Sequence, residues 1–217
     1  MAIDVLAQNA VPIAPSRPTP YLDAVTIALA GRRTQLDRAL ARLGGQAETL
    51  AAIAARLVAT LSEGQKVLVA GNGGSAAEAQ HFAAELLGRF KREREPYAVL
   101  SLTADTALLT AVANDYGYSD VFARQVRALG RPGDLLLLFS TSGESENVVR
   151  AAAAARTRGV TTVAVTSERP SRLARAADLS LRVPVTDTAV VQELHMLVTH
   201  VLCDVIEAEL AHAAERR

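Results

Sequence analysis

The chain has 217 residues, half of them hydrophobic but only 4% aromatic, and its 23 basic and 23 acidic residues cancel. This length accommodates one sizeable α/β domain with a core of Ala, Val and Leu. The balanced charge gives no reason to expect a nucleic acid or an acidic membrane as a partner.

Cysteine usage and hydropathy bear on the compartment. Cys203 is the only cysteine, so an intrachain disulfide is excluded and a reducing compartment is expected. Its apolar helical context predicts a buried structural thiol rather than a nucleophile. The N-terminus lacks a signal-peptide pattern, and no apolar run approaches the roughly 20 residues that span a bilayer. We therefore expect a cytoplasmic protein with no membrane partner.

The N-terminal third of the chain shows two patterns. Residues 1–20 contain four of the eight prolines, which predicts a flexible arm. From Tyr21 to Leu61 apolar residues recur every three or four positions, which predicts two helices separated by Gly44-Gly45. Two helices ahead of a sheet domain are expected to pack on that domain or on another subunit, so residues 21–217 are predicted to form one domain.

Strands and helices then alternate. Five short apolar runs predict strands covered on both faces: Lys66–Ala70, Ala98–Leu102, Leu135–Ser140, Thr161–Thr166 and Leu179–Val183. Helical patterns follow them: Ala76–Arg89, Thr106–Asn114 continuing to about Leu129, Glu146–Arg158, Arg172–Ala176, and roughly Ala189–Ala214. This alternation predicts a parallel sheet with right-handed crossovers, whose ligands bind at the carboxyl ends of the strands.

A glycine loop, Gly71-Asn72-Gly73-Gly74-Ser75, joins the first predicted strand to its helix. Such a loop presents backbone N–H groups to a phosphate. The spacing from Gly71 to Ala76 also fits the dinucleotide fingerprint, so a dinucleotide-dependent oxidoreductase is an alternative. A tight turn without a ligand is the third interpretation.

A serine loop, Ser140-Thr141-Ser142-Gly143-Glu144-Ser145, follows the third predicted strand. Its hydroxyl groups and the N-terminus of the next helix can hold a phosphate without Lys or Arg. The alternative is a serine that only caps the helix, but one serine would satisfy that role, so the number of hydroxyls favours a phosphate.

Two polar pairs complete the candidate site. His81 and Glu85 share one helix face and suit acid–base chemistry or metal binding, although a structural ion pair is equally common at this spacing. Asn114-Asp115 ends a predicted helix, where a cap or a sugar-hydroxyl contact both fit.

Taken together, these segments resemble the SIS (sugar isomerase) domain, and within it the bacterial sedoheptulose-7-phosphate (phosphoheptose) isomerases. The resemblance runs from about Leu61 to Glu207. It is carried by the glycine loop, His81-Phe82-Ala83-Ala84-Glu85-Leu86, Asn114-Asp115-Tyr116-Gly117, Ser140-Thr141-Ser142-Gly143, and Gln192-Glu193-Leu194-His195 with His200. Five modest motifs in this order are highly specific together.

The resemblance implies a three-layer α/β/α SIS domain with a five-stranded parallel, flavodoxin-like sheet. It implies a homotetramer with active sites at subunit interfaces, which converts sedoheptulose 7-phosphate to D-glycero-D-manno-heptose 7-phosphate. Such an exchange of ketose and aldose passes through an enediol and needs an acid and a base.

The resemblance also implies roles for individual residues. Glu85 and His200 would be the catalytic pair. One zinc ion per subunit would bind His81, Glu85, Gln192 and His200. The phosphate would contact Ser75, Ser140, Thr141, Ser142 and Ser145. The sugar would contact Asn72, Gly73, Gly74, Glu85, Asn114, Asp115 and Gln192.

Helix geometry adds one expectation. Gln192 and His200 are eight residues apart, or about 12 Å along a straight helix, which is too far for two ligands of one zinc. Either the helix is interrupted between them or different subunits supply the two ligands, and we expect a site shared between subunits, with His200 from a different chain than His81 and Glu85.

Two residues depart from the family pattern, Val190 and Glu144. A carboxylate at position 144 is unfavourable near a phosphate unless it points away.

Other functions are possible on the same fold. The main alternative is a non-catalytic SIS protein that binds the replication initiator DnaA. Such binders do not keep the pair formed by Glu85 and His200, so its presence favours the isomerase. A SIS regulatory module is a further alternative, but it usually carries an attached domain, for which 217 residues leave no room.

Overall fold

The computed structural model describes residues 19–215, with side chains through His212. The predicted flexible arm, residues 1–20, therefore lies almost entirely outside the described residues. The chain divides into two compact units, residues 1–37 and 38–217. In the first unit, the structure describes mainly the start of helix α1 (Leu22–Leu43). This part of α1 carries exposed apolar side chains, such as Ile27, which is 72% exposed. The single domain from residue 21 onward stays a prediction.

In the second unit, a 3-10 turn at Gly44–Gln46 separates the end of α1 from α2 (Ala47–Ser62), as the Gly44-Gly45 pair predicts. The strands of this unit are β1 (Val67–Ala70), β2 (Val99–Ser101), β3 (Leu135–Ser140), β4 (Thr161–Ser167) and β5 (Leu179–Val183). The remaining helices are α3 (Gly74–Leu87), α4 (Thr106–Tyr116), α5 (Val121–Leu129), α6 (Glu146–Thr157), α7 (Arg172–Ala176) and α8 (Thr188–Glu215).

The five strands form one parallel sheet in the order β2-β1-β3-β4-β5, which is the flavodoxin-like order. Side chains of alternate strand residues, such as Leu68, Leu136 and Ala164, pack with α4, α5 and α6 in one buried cluster. Helices α2, α3 and α8 cover the sheet from the other side. Because both faces are covered, β1 and β3 are buried at every residue, and the predicted three-layer α/β/α fold is confirmed.

The predicted helix from Thr106 to about Leu129 is wrong in one respect. Gly117 has a φ of +89°, a left-handed conformation that ends α4, and a 3-10 turn at Tyr118–Asp120 precedes α5. The break separates α4 from α5 and places Tyr118 near the carboxyl end of β1, where its hydroxyl contacts Asn72.

Helix α8 corrects the expectation about apolar runs. Its segment Thr188–His212 has 25 residues and a mean hydropathy of 1.4, which is long and apolar enough to cross a membrane by composition alone. Half of that apolar stretch is buried, and α8 packs on α2, α3, β4 and β5. Core helices meet the same criterion, so the segment is weak support for a membrane span.

Candidate functional site

The glycine loop requires glycine at Gly71, for a close backbone contact, and at Gly73, for a left-handed backbone. A Cβ added at Gly71 would lie 2.4 Å from the backbone oxygen of Ser75, and Gly73 has a φ of +55°. A Cβ added at Gly74 would lie 2.2 Å from Nε2 of Gln192, so the amide of Gln192 packs directly on the loop. Ser75 is buried at the start of α3. The loop therefore turns tightly from β1 into α3 and brings Gln192 of α8 to its side.

The serine loop turns in a similar way between β3 and α6. Gly143 has a φ of +65°, and its N–H donates to Oγ of Ser140 at 3.0 Å. The N–H of Glu144 donates to Oγ of Ser142 at 3.2 Å. Ser145 is the N-cap residue of α6 but makes no side-chain capping hydrogen bond. The helix-capping alternative therefore does not account for Ser145, and the loop fits an anion site at the N-terminus of α6.

The carboxylate of Glu144 has a partner outside this loop. Its Oε1 accepts a hydrogen bond of 2.9 Å from the backbone N–H of Arg172, at the start of α7. The carboxylate therefore has a structural partner at the start of α7. The second departure from the family pattern, Val190, is buried in the core.

A reciprocal amide pair joins the two loops. Asn72 donates to Oδ1 of Asn147 at 2.9 Å, and Asn147 donates back to Oδ1 of Asn72 at 2.8 Å. The hydroxyl of Tyr118 also donates to Oδ1 of Asn72, at 3.1 Å. Asn147 and Tyr118 were not among the predicted site residues. A polar residue in the first turn after the serine loop was the available signal for Asn147.

Asn114 and Asp115 lie on the exposed last turn of α4, where Nδ2 of Asn114 donates to Oδ1 of Asp115 at 2.9 Å. This hydrogen bond is local. From the segment that follows α4, it is Tyr118 that reaches the glycine loop. A sugar contact by Asn114 and Asp115 stays a prediction.

Helices α3 and α8 bring three predicted residues together. Nε2 of His81 lies 3.0 Å from Nε2 of His200 and 3.3 Å from Oε1 of Glu85. One donor atom from each of these residues lies within 4.8 Å of the others, and all three side chains are half-buried. The predicted pair of Glu85 and His200 therefore meets within one chain.

This group fits a zinc ion by its chemistry. Imidazole nitrogen and carboxylate oxygen are ordinary zinc ligands, and a tetrahedral ion with ligands at about 2.0–2.2 Å keeps its donor atoms about 3.4 Å apart. The 3.0 and 3.3 Å separations around His81 are close to that spacing. Three protein ligands would leave a fourth position open, as in catalytic zinc sites.

The expectation that His200 comes from a different chain is therefore wrong. It assumed that Gln192 and His200 bind the same ion, whereas α8 is continuous across both residues. Gln192 lies about 12 Å along the helix from His200 and packs against Gly74 instead. The structure does not bring Gln192 to the His81 group.

A second histidine of α8 is paired with a second acid of α3. Nδ1 of His195 lies 3.3 Å from Oε2 of Glu78, and both side chains are almost fully buried. His212, near the end of α8, is exposed. The contacts of Gly74 with Gln192, Glu78 with His195, and His81 with His200 follow the same order along both helices. Helices α3 and α8 therefore lie side by side and run in the same direction.

Comparisons with known proteins agree with this geometry. The SIS domain model matches residues 33–167. Phosphoheptose isomerase from Roseiflexus sp. (strain RS-1) is 52% identical over 165 residues, which cover 76% of this chain and 84% of that protein. The relative from Rhodospirillum rubrum is 48% identical over 169 residues, or 78% of this chain and 90% of that protein.

Solved structures give the same result. A phosphoheptose isomerase from Neisseria gonorrhoeae superposes with a TM-score of 0.80 at 40% identity, covering 85% of this chain and 99% of that one. Another, from Francisella tularensis, gives 0.81 at 38% identity, with 84% and 97% covered. The chain therefore belongs to the SIS-domain family and, within it, to the phosphoheptose isomerases.

Proposed function

We propose that the protein converts D-sedoheptulose 7-phosphate to D-glycero-D-manno-heptose 7-phosphate, the first step toward nucleotide-activated heptose. The observation that carries this proposal is the meeting of His81 and Glu85, on the helix that begins at the glycine loop, with His200 of α8. Along α3, Ser75 and His81 are separated by about 9 Å. A seven-carbon sugar phosphate carries its reacting carbons and its phosphate at opposite ends, which suits that separation.

The loops supply the phosphate and sugar contacts in this proposal. Hydroxyl groups of Ser140, Thr141, Ser142 and Ser145, the N-terminus of α6, and Ser75 hold the phosphate. Asn72, oriented by Asn147, faces the sugar hydroxyls. Gly73, Gly74, Asn114 and Asp115 line the sugar, and Gln192 contacts it from its place against Gly74.

Glu85 and His200 carry out the proton transfers. The carboxylate of Glu85 removes the proton from C1 of the ketose and returns it to C2 of the enediol. His200 exchanges a proton between the oxygens on C2 and C1, so the carbonyl moves from C2 to C1 with no change in composition. In this scheme α3 supplies the carboxylate and α8 supplies the imidazole.

One zinc ion per subunit, held by His81, Glu85 and His200, fits the donor atoms described above. Bound there, zinc would supply Lewis-acid polarisation of the substrate carbonyl. Gln192 was expected as a fourth ligand, but its distance along α8 favours the substrate contact instead.

We also propose a cytoplasmic homotetramer with active sites at its subunit interfaces. The supporting feature is an apolar groove of about 550 Å³ between α2 and α8, lined by residues such as Leu50, Val58, Val201 and Val205. Val201 and Val205 are 38% and 39% exposed, which is unusual for apolar residues at the centre of a long helix and suits contact with another subunit.

Conversion of sedoheptulose 7-phosphate by the zinc-loaded protein tests the proposal, with product measured by NMR in D₂O. The proton held by Glu85 exchanges with solvent while the enediol is bound, so D₂O predicts deuterium at C2 of the product. Glu85→Gln should lower kcat by at least about 10²-fold. Glu93→Gln, which changes an exposed carboxylate on the following loop, should leave the rate unchanged.

Absence of turnover by the wild-type protein with zinc would contradict the proposal and favour the DnaA-binding alternative. The oxidoreductase alternative predicts instead a melting shift with NAD(H). The retained pair of Glu85 and His200, together with the isomerase relatives, favours the isomerase over both alternatives.

A further inference from the structure

The loop that follows α3 is folded around one buried carboxylate of α8. Glu207 is only 2% exposed at its side chain, and its two oxygens accept backbone N–H bonds from Phe90, Lys91 and Arg92 at 2.9–3.0 Å. These donors outweigh the effect of burial, which alone would raise the pKa of Glu207, so its pKa is lowered and the carboxylate stays ionised. Glu207 lies about two turns beyond His200 on α8.

Arg94 completes this arrangement from the same loop. Its Nε donates to Oε1 of Glu207 at 2.9 Å, and its side chain is 8% exposed. Its Nη2 donates to the backbone oxygen of Glu85 and its Nη1 to that of Leu86, both at 2.9 Å. Arg94 thus joins the last turn of α3, which carries Glu85, to the helix that carries His200.

The loop places an aromatic ring on the candidate catalytic histidine. The ring of Phe90 is stacked on the ring of His200, with centroids 5.6 Å apart and planes 16° apart. The ring of His200 also meets the ring of His81, with centroids 5.2 Å apart and planes at 74°. A ring in contact on its face and at its edge has little freedom to rotate, so Phe90 fixes the direction of Nε2 of His200.

We propose that Phe90, Arg94 and Glu207 are positioning residues for the reaction. Glu207 holds the backbone of Phe90, Phe90 orients His200, and Arg94 fixes the turn of α3 that carries Glu85. None of the three contacts the loops that would bind the phosphate. The inference rests on the proposed roles of Glu85 and His200, and it assigns the orientation of their helices to a single buried ion pair.

The test compares Phe90→Leu and Glu207→Gln with Asp204→Asn. Asp204 is the matched control, because it pairs with Lys91 of the same loop but is half exposed on α8. Phe90→Leu and Glu207→Gln should each lower kcat and Zn²⁺ affinity by about 10–100-fold with little change in KM. Asp204→Asn should leave all three quantities unchanged. Zn²⁺ affinity is measured by calorimetry on the metal-free protein.

A second measurement separates positioning from activity. In protein carrying ¹³C-labelled histidine and no metal, the ring protons of His200 should show a ring-current shift from Phe90. Both Phe90→Leu and Glu207→Gln should abolish that shift. If Glu207→Gln does not fold, Phe90→Leu still tests the inference with the ion pair intact.

Wild-type kcat and Zn²⁺ affinity in Phe90→Leu, or an unchanged His200 signal in both variants, would overturn the inference. A wild-type protein that lacks isomerase activity but shows the expected His200 signals would refute the proposed function alone.

Discussion

Replacing Gly74 by Ala tests the role of Gln192 in substrate binding, because the substitution should displace the Gln192 amide without destabilising the fold. Gly74 is exposed at the start of α3 and its φ is not positive, so the backbone accepts Ala. The new Cβ would lie 2.2 Å from Nε2 of Gln192, where ordinary contact begins at 3.4 Å. The Gln192 amide must therefore move by more than about 1 Å, which is possible because it is the end of a flexible side chain.

The two effects of this substitution have opposite signs. Misplacement of a substrate-binding group by about 1 Å can cost about 10²-fold, so kcat/KM for sedoheptulose 7-phosphate should fall by that order. Stability should stay the same or rise by up to about 1 kcal/mol, because Ala replaces Gly in a helix. Thermal unfolding would then shift upward by at most about 4 °C.

Gly31→Ala is the matched control, since Gly31 also lies in a helix but a Cβ there meets nothing within 4 Å. It should gain stability with no loss of activity. If Gly74→Ala keeps wild-type kcat/KM, Gln192 does not act from its place against Gly74. If Gly74→Ala is clearly destabilised, the displaced group is not a free side-chain end and the geometric argument is wrong.

Three further predictions concern buried polar groups. Asn147→Ala removes both amide hydrogen bonds to Asn72, so the free energy of unfolding measured with denaturant should fall by about 1–3 kcal/mol. The KM for sedoheptulose 7-phosphate should also rise. An unchanged KM would refute the link between Asn147 and the sugar site. Burial raises the pKa of Cys203 to about 12, so iodoacetamide at pH 8 should label it only after unfolding, and rapid labelling of native protein would contradict this. Burial acts to raise the pKa of Glu207, but three backbone N–H bonds and Arg94 lower it below the ordinary value of 4.5. The ionised carboxylate of Glu207 therefore contributes its full stabilisation above pH 4.5, and this stabilisation is lost as the pH falls through the lowered pKa. Glu207→Gln should therefore be less stable at pH 7 but lose less stability than the wild type on acidification below pH 4.5, and parallel stability curves would refute the assignment.

The fold was largely predictable because its signals are local. Each strand is a short apolar run between polar loops, and two of the five, Leu135–Ser140 and Leu179–Val183, begin and end at the predicted residues. The break at Gly117 was missed because helical apolar spacing continues on both sides of it. The left-handed φ of Gly117 ends α4, and a glycine after the last turn is a common helix stop that the apolar spacing does not register.

The candidate site was predictable only in part, for the same physical reason. The two loops and the pair of His81 and Glu85 are contiguous motifs, so the sequence presents them directly. Asn147 lies 75 residues from Asn72, and Phe90 lies far along the chain from His200, so neither pairing leaves a local signal. His200 meets His81 and Glu85 of the same chain because α8 lies beside α3. The spacing of residues within α8 alone does not determine that packing.

The separation of His81 and His200 by 119 residues has a consequence for synthesis. The ribosome releases α3 long before α8, so the early part of the chain emerges without His200, one of the two proposed catalytic residues. Contacts of such high sequence separation form late in folding, after the intervening loops have closed. A chain interrupted before residue 200 would hold the loops proposed to bind the phosphate but not the proposed reactive centre. The last helix can dock only when translation is nearly complete, so the protein gains its proposed catalytic activity at that stage.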